Sequence, residues 1–239
     1  MAIISTTKLR KVFGKKSNEI EALRGIDIKI ETGESIAIIG KSGSGKSTLM
    51  HLMALLDQPT SGTIRISGNN TSKMKNFEIN ELRNERFGFV FQQFFVNPRD
   101  SVLNNVILPL KIAGIDRAER KQRALDALAT VDLIDKAKSK AIDLSGGQKQ
   151  RVCIARALVN NPEVIFADEP TGNLDSATGR KIEDLLFKLN KEKGITLIVV
   201  THDADLAKRC KRRIYIKDGK VVNYAKRGKK PAAKKGAKK

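Results

Sequence analysis

A short apolar strand, a glycine-rich loop and a helix follow one another near residue 40, and this succession constrains the fold more than any other feature. Residues 35–39 (SIAII) are continuously apolar, and Thr48-Leu49-Met50 opens a helix. The loop between them fits G-x-x-x-x-G-K-[ST], whose glycines let backbone N–H groups surround phosphate oxygens at a helix N-terminus. In this motif Lys46 reaches the β- and γ-phosphates, and the Ser47 hydroxyl ligates Mg²⁺. The predicted nucleotide-binding residues are Gly40, Lys41, Ser42, Gly43, Ser44, Gly45, Lys46, Ser47 and Thr48.

This motif indicates a nucleoside triphosphate but no particular reaction, because kinases, GTPases and helicases share it. A second feature narrows the choice: the apolar strand Val164–Ala167 ends in Asp168 and Glu169. Asp168 would hold Mg²⁺ through water, and Glu169, lying beyond the strand, could accept a proton from attacking water. Two solvated acids at a strand end are the alternative, which the neighbouring phosphate motif disfavours.

Two further polar side chains follow predicted strands. His202 comes directly after the strand Thr196–Thr201, at the end of a parallel strand where ligands bind in α/β sheets. A γ-phosphate contact and a purely structural role are both open for this histidine. Gln92 follows the strand Phe87–Phe91, where a neutral amide could contact Mg²⁺ and orient water, although only a family resemblance would single it out.

Strands alternate with helices along most of the chain, which predicts an α/β fold with a mainly parallel sheet covered on both faces. Residues 3–39 are β-rich, and residues 94–158 contain no strand candidate, so we interpret them as a helical insertion. The other predicted elements are strand 62–67, helices 78–86, 116–131, 146–157 and 176–192, and a hairpin of residues 214–217 and 220–223 around Asp218-Gly219.

Composition excludes several classes of protein. Hydrophobic residues make up 40% of the chain, enough for a packed core, but no apolar run is long enough for a transmembrane helix. The N-terminus has the wrong order of apolar and charged residues for a secretory signal, so we expect a cytosolic protein. The 5% aromatic content argues against a base-stacking RNA surface. The two cysteines suggest neither disulfides nor a metal site, and we expect one buried and one partly exposed thiol.

The net charge of +20 is concentrated at the C-terminus. Residues 226–239 hold eight basic residues and no acid, leaving about +12 on residues 1–225. We predict that residues 1–225 form the folded domain and that residues 226–239 are a disordered tail, because this Lys/Ala/Gly/Pro sequence cannot bury enough apolar surface. A solvated tail is favoured, while contact with anionic lipid or nucleic acid stays open.

A second anion site is predicted where Leu144-Ser145-Gly146-Gly147-Gln148 leads into a helix. The serine hydroxyl and the free N–H groups of the glycines lie at the helix N-terminus, which attracts phosphate. The chain therefore carries two predicted phosphate sites about 100 residues apart. Either both face one nucleotide, or the second serves the nucleotide of a partner chain.

With these motifs in this order, residues 3–223 resemble the ABC-transporter ATPase family. The resemblance implies a P-loop NTPase with a RecA-like, mainly parallel sheet, an N-terminal antiparallel β-subdomain and the helical insertion. It implies an ATPase that uses ATP and Mg²⁺. The motifs that carry it are GKSGSGKST at 40–48, FVFQ at 89–92, LSGGQKQRVCIARAL at 144–158, VIFADEPTGNLD at 164–175 and THD at 201–203.

The resemblance also implies roles for single residues. Glu169 becomes the catalytic base, His202 the γ-phosphate sensor, and Asp175 part of the loop that links two half-sites. Phe13 takes the position where the family stacks an aromatic ring, usually tyrosine, on adenine. Mg²⁺ would be surrounded by Ser47, Gln92 and Asp168. The segment LSGGQ would act in trans, so that two ATP molecules lie between two copies of the chain, with the residues Leu144, Ser145, Gly146, Gly147 and Gln148 facing the partner's nucleotide.

Within the family the chain is most similar to ATPases of macrolide-export, lipoprotein-release and bacteriocin-export systems, through residues 23–26, 55–62, 87–92 and 105–110. A membrane permease with a coupling helix, and a place at the inner face of the membrane, are implied. Asp100 stands where the family usually has an apolar residue, and Asn104 where it usually has glutamate, in the region that receives the coupling helix. The identity of the permease is therefore left open, as is the transported substrate.

Two alternatives are left open. An ABC ATPase that signals through a membrane partner, as in cell division, needs the same motifs. A soluble ABC ATPase acting on nucleic acid or ribosomes is less favoured, because the chain has neither a second ATPase domain nor a long coiled-coil insertion.

Overall fold

The computed structural model describes residues 1–14 and 18–226, with side chains through residue 222. The strands are β1 Ala2–Phe13, β2 Ile20–Glu31, β3 Ser35–Ile39, β4 Ser61–Ile66, β5 Asn69–Asn70, β6 Phe87–Phe91, β7 Val164–Asp168, β8 Thr196–Val200, β9 Arg212–Lys217 and β10 Lys220–Lys226. The α-helices are α1 Lys46–Met53, α2 Asn76–Arg86, α3 Val102–Ile112, α4 Arg117–Thr130, α5 Gly146–Leu158, α6 Ser176–Lys193 and α7 Ala204–Arg209.

A six-stranded sheet in the order β10-β9-β3-β8-β7-β6 forms the centre of the molecule. β9, β3, β8, β7 and β6 run parallel, and β10 pairs antiparallel with β9. The residues of β8 are all buried, as are most of β3 and β7, because helices cover both faces of the sheet. The predicted mainly parallel α/β sheet is therefore confirmed.

A second, antiparallel sheet in the order β2-β1-β4-β5 contains the N-terminal strands. Ile4 of β1 pairs with Ile30 of β2 on one side and with Ile66 of β4 on the other, and all three side chains are buried. They share one hydrophobic core with α1 and with the face of the parallel sheet that carries Phe166. The predicted antiparallel subdomain is confirmed, and it packs over the helix that follows the phosphate loop.

Residues 94–158 fold into α3, α4 and α5 with short 3₁₀ turns, and the strand-like pairing described within them is the isolated bridge between Ser101 and Lys140. Their apolar faces join the core on the other side of the parallel sheet. At the other end of the chain, β10 extends to Lys226, the first residue of the predicted tail. The rest of that tail lies outside the described residues, so the boundary at residue 225 stays a prediction.

Both cysteines are buried, so the expectation of one partly exposed thiol was wrong. Burial raises the pKa of Cys153 to about 11 and that of Cys210 to about 12, so both thiols are neutral at physiological pH. Cys210 lies just after α7 and packs in the core, which its position next to basic residues did not suggest. Within the described residues, no helix has both the length and the apolar character needed to cross a membrane.

Candidate nucleotide-binding and hydrolysis site

The phosphate loop has the close packing that its glycines predict. Gly45 adopts the left-handed conformation, with φ of +100°, immediately before α1 begins at Lys46. A Cβ atom on Gly40 would lie 2.3 Å from the carbonyl oxygen of Ile216 and 2.5 Å from Oγ of Ser44. No side chain fits at either position without displacing the backbone, so the two glycines fix the path of the loop.

Two polar groups of this loop fit a triphosphate. Oγ of Ser44 is buried and has no hydrogen-bond partner among the described residues, an arrangement that ordinarily costs ~1–3 kcal/mol. Nζ of Lys46 donates to the carbonyl oxygen of Lys41 at 2.9 Å and so lies folded across the loop. A phosphate oxygen would satisfy both groups at the positive end of α1. The residues present therefore fit the nucleotide that the motif predicts.

Asp168 is the last residue of β7 and lies beside this loop. Burial and, to a smaller extent, the Glu169 carboxylate raise the pKa of its carboxyl, while the nearby His51 and Lys46 oppose that shift. Asp168, Ser47 and Gln92 provide oxygen ligands of the hard kind that Mg²⁺ prefers. In the described part of the chain, no group of three or more His, Cys, Asp and Glu side chains could hold a metal alone.

Glu169 is held in an unusual backbone conformation by its neighbours. Its φ is +44°, which is costly for a side chain of this size, and its N–H donates to the carbonyl oxygen of Val200 at 2.9 Å. Oε1 accepts from the backbone N–H of His202 at 3.0 Å and lies 2.8 Å from Nδ1 of the same residue. Oε2 accepts from Oγ1 of Thr201 at 3.3 Å. The two predicted hydrolytic residues, Glu169 and His202, therefore lie in direct contact.

Gln92 lies just after β6 and is joined to the loop that follows β7. Its Nε2 donates to Oδ1 of Asn173 at 3.3 Å, and Nδ2 of Asn173 donates back to the Gln92 carbonyl oxygen at 2.9 Å. The sequence patterns did not predict Asn173, because its partner lies 81 residues away. Two residues further on, Asp175 caps α6 by accepting from the N–H groups of Ala177 and Thr178. Hydrogen bonds from Thr178 hold the pKa of Asp175 below its usual range.

Phe13 lies at the end of β1, paired with Ile20 at the start of β2, and its ring is 44% exposed. Nζ of Lys11 lies 5.0 Å from the ring centroid, and the same ammonium group is 2.7 Å from Oδ1 of Asp57. The cation and the carboxylate fix the aromatic side chain from one side. A ring held in this way can stack a base on its other face.

The segment 144–148 starts α5 with a capping box. Oγ of Ser145 accepts from the N–H of Gln148 at 3.3 Å, and Oε1 of Gln148 accepts from the N–H of Ser145 at 2.9 Å. The side chain of Leu144 is buried and anchors the segment. Gly146 and Gly147 are the first helical residues, so their N–H groups have no partner within the helix. A Cβ atom on Gly147 would lie 2.4 Å from Cγ2 of Thr178.

The topology divides these residues into two groups. β3, β8, β7 and β6 are parallel neighbours, so the phosphate loop, His202, the Asp168–Glu169 pair and Gln92 follow strands that end at one edge of the sheet. The start of α5 belongs to the helical insertion, and its Gly147 lies against Thr178 of α6. A phosphate loop, a Mg²⁺-compatible aspartate and a held glutamate at one sheet edge define a P-loop nucleotide hydrolase.

Comparison with known proteins narrows this class. A family model described as "ABC transporter" matches residues 23–172. The lipoprotein-releasing system ATP-binding protein LolD of Syntrophus aciditrophicus is 48% identical over 93% of this chain and 100% of its own length. The macrolide export ATP-binding/permease protein MacB of Rhodopseudomonas palustris is also 48% identical, over 90% of this chain and 33% of MacB. A dimeric ATP-binding cassette, MJ0796 with ADP and Pi bound, has a TM-score of 0.85 and 43% identity, covering 94% of this chain and 98% of that structure.

The chain belongs to the ABC transporter family, as an ATP-binding and ATP-hydrolysing subunit. The predictions of fold, ATPase activity and transporter class are confirmed, and the matches do not favour the signalling alternative. Cassettes of this family form dimers and work with a membrane permease. The roles assigned to single residues remain predictions that the geometry supports.

Proposed function

We propose that the chain hydrolyses MgATP as one half of a two-subunit motor, with each nucleotide held by the phosphate loop of one chain and by the start of α5 of the other. The two phosphate-binding elements have different neighbours within one chain, and this supports the proposal most strongly. A Cβ atom on Gly147 would meet Thr178 of α6, whereas one on Gly40 would meet Ile216 of β9. Lys46 and Ser44 bind the phosphates from one side, and the free N–H groups of Gly146 and Gly147 bind them from the other. Phe13 stacks on the adenine base.

Ser47, Asp168 and Gln92 would hold Mg²⁺, which when bound neutralises charge on the β- and γ-phosphates. Glu169 accepts a proton from the attacking water, and its φ of +44° is consistent with a functional constraint on this carboxylate. His202 orients Glu169 through its ring and its backbone N–H. Asp175, at the start of α6, lies on the loop that would contact the partner subunit.

We propose that a largely apolar cavity of 540 Å³ receives the coupling helix of a permease. Its walls come from α2, β6, α3, α5 and the segment after α1. Leu108 and Ile112 on α3 are 50% and 70% exposed. Phe91 lines the cavity and directly precedes Gln92, so a helix seated here would be next to the hydrolysis site. The apolar lining residues are Leu56, Phe87, Phe89, Phe91, Leu108, Pro109, Ile112 and Ala157.

Asp100 and Asn104, the two residues that depart from the family pattern, lie at the start of α3 and contact each other. Nδ2 of Asn104 donates to Oδ1 of Asp100 at 2.8 Å. A glutamate at position 104, which the family pattern has, would place a like charge against Asp100, so the amide keeps this surface compatible with the aspartate. Some relatives have an apolar residue at position 100. We infer that the permease surface facing Asp100 carries a different charge from the equivalent surface in the permeases of those relatives.

Replacement of Ile112 by aspartate tests the coupling role. Because Ile112 is 70% exposed, the substitution leaves folding and the ATPase rate of the isolated chain within about twofold of the parent. In vesicles that contain the cognate permease, we expect the stimulation of ATP hydrolysis by the permease to fall at least about tenfold, since a charge in the apolar cavity opposes docking. Val222→Asp, which charges another exposed apolar position, is the control. Undiminished stimulation in Ile112→Asp would exclude this cavity as the docking site.

LolD matches this chain over its full length, and MacB matches it over one third of its length. Their names refer to lipoprotein release and macrolide export. We therefore propose export-type transport, with this chain at the cytosolic face of the membrane and attached through its permease. A contact of the basic tail with anionic lipid would add to that attachment. Residues 227–239, which would make it, lie outside the described residues.

A further inference from the structure

One amide on α5 contacts both segments that carry the hydrolytic residues. The side chain of Gln150 is fully buried, and its Nε2 donates to the carbonyl oxygen of Phe91 at 3.1 Å and to that of Pro170 at 2.6 Å. Phe91 directly precedes Gln92, and Pro170 directly follows Glu169. A single NH₂ group therefore joins the backbone beside the Mg²⁺ ligand to the backbone beside the catalytic base.

The same helix begins with the segment proposed to bind the partner's nucleotide. Gln150 lies five residues after Ser145, which is less than two helical turns. The two residues therefore move together as parts of the same helix. A shift of the helix N-terminus would therefore move the backbone next to Gln92 and Glu169 directly, through the side chain of Gln150.

Burial of this glutamine has a cost that packing alone does not explain. Its Oε1 is buried and has no hydrogen-bond partner among the described residues, which ordinarily costs ~1–3 kcal/mol. An apolar side chain of similar volume, such as methionine, would fill the site without this cost. The property that methionine lacks is the pair of donor hydrogens, and these make the two bonds to the flanking carbonyl groups.

Two further residues on the same face of α5 hold the loop after Gln92. Sγ of Cys153 donates to the carbonyl oxygen of Phe94 at 2.6 Å, and Nη1 of Arg156 donates to that of Phe95 at 2.8 Å. With Gln150 these residues follow one another at intervals of three, which places them along one side of the helix. The backbone on both sides of Gln92 is thus attached to α5.

We propose that Gln150 is a positioning residue that couples the start of α5, where the second subunit docks, to Gln92 and Glu169 of its own chain. The proposal rests on the proposed two-subunit function and deepens it. Docking at Ser145–Gly147 would fix α5, and Gln150 would then fix the separation of the Mg²⁺ ligand from the catalytic base. Hydrolysis depends on that separation, whereas nucleotide binding at the phosphate loop does not.

The Gln150→Met variant tests whether Gln150 affects hydrolysis without affecting nucleotide binding. We expect its affinity for ATP and its KM to stay within about twofold of the parent, while kcat falls by about tenfold or more, because misplacement of a catalytic group costs rate and leaves ground-state binding intact. Asn190→Leu is the matched control. Nδ2 of Asn190 also donates to two carbonyl oxygens, of Gly33 at 3.2 Å and Ile195 at 2.6 Å, but neither residue adjoins the site. Both variants should fold, and only Gln150→Met should lose kcat.

A folded Gln150→Met variant with parental kcat, or an equal loss of kcat in both variants, would overturn the positioning role. Gln150→Asn covers the case in which the methionine variant does not fold. It keeps the amide but is one methylene shorter, so it can reach only one of the two carbonyl groups, and an intermediate kcat is expected. Parental kcat in Gln150→Asn would also refute the role. Absence of ATP hydrolysis by the parent chain would instead count against the proposed function itself.

Discussion

We expect replacement of Glu169 by glutamine to lower the rate of ATP hydrolysis by about 100-fold or more, the usual contribution of a general base. The amide has the size of the carboxylate but cannot take a proton from water. It can still contact Thr201 and the backbone N–H of His202, which hold Glu169 in the parent, so the strained turn at this residue is retained. ATP binding should therefore persist, and the variant should accumulate as an ATP-bound dimer.

Single-turnover hydrolysis and size-exclusion chromatography with light scattering measure both effects. In the parent chain, EDTA should stop hydrolysis, since Ser47, Asp168 and Gln92 are expected to act through Mg²⁺. Glu192→Gln removes an equivalent charge from the exposed end of α6 and should hydrolyse ATP at the parental rate. Hydrolysis by Glu169→Gln at the parental rate would show that another group is the base, and hydrolysis by the parent in EDTA would exclude the metal ion.

We expect replacement of Lys46 by alanine to weaken nucleotide binding by roughly 10- to 150-fold, because charge-assisted bonds to phosphate in a partly buried loop contribute ~1.5–3 kcal/mol. Lys46 is the first residue of α1, and its ammonium group already lies over the loop through its bond to the Lys41 carbonyl oxygen. Removal of that group leaves the glycine conformations intact but takes away the positive charge nearest the β- and γ-phosphates.

Equilibrium binding of a fluorescent ATP analogue measures this loss. Lys41→Ala is the matched control, because position 41 would take part in the phosphate loop through its backbone. The substitution removes an exposed charge from the same loop but keeps the carbonyl oxygen that Lys46 contacts. The control should bind within about threefold of the parent, as expected for an exposed charge. Tight binding by Lys46→Ala, or equal losses in both variants, would contradict a direct role for Lys46 in holding phosphate.

Local sequence signals predicted most of the parallel sheet and of the site. β3 and the phosphate loop could be located because the apolar strand, the glycines and the start of α1 are consecutive in sequence. Asp168 and Glu169 were found for the same reason, as they end an apolar strand. Each of these patterns lies within about ten consecutive residues, so the local structure can be predicted without knowledge of tertiary contacts.

Features that depend on distant partners were not predictable in this way. Gln150 shows no local sign of its role, because the carbonyl groups it contacts lie 59 and 20 residues away. Asn173 is similar, since its bonds to Gln92 cross from one strand end to the next. Cys210 is buried because the segment after α7 packs against the core. The basic residues adjacent to Cys210 gave no sign of this burial.

The division of each reaction centre between two chains can be measured by mixing two inactive variants. Lys46→Ala disables the phosphate loop, and Gly146→Asp places a carboxylate at the start of α5, where it would repel a partner's triphosphate. A Cβ atom on Gly146 approaches other atoms no closer than 3.4 Å, so the chain folds, and Gly146→Ala controls for the added bulk. Neither Lys46→Ala nor Gly146→Asp should hydrolyse ATP alone.

An equal mixture should form heterodimers that contain one intact site, made from Lys46 of the Gly146→Asp chain and Gly146 of the Lys46→Ala chain. With random pairing in a twofold dimer, single-turnover hydrolysis should return to about a quarter of the parental amplitude. A chain that carries both substitutions, added in excess to the parent, should suppress hydrolysis. A mixture that stays inactive, together with full activity of the parent beside the doubly substituted chain, would show that both phosphate-binding elements serve one nucleotide within a single polypeptide.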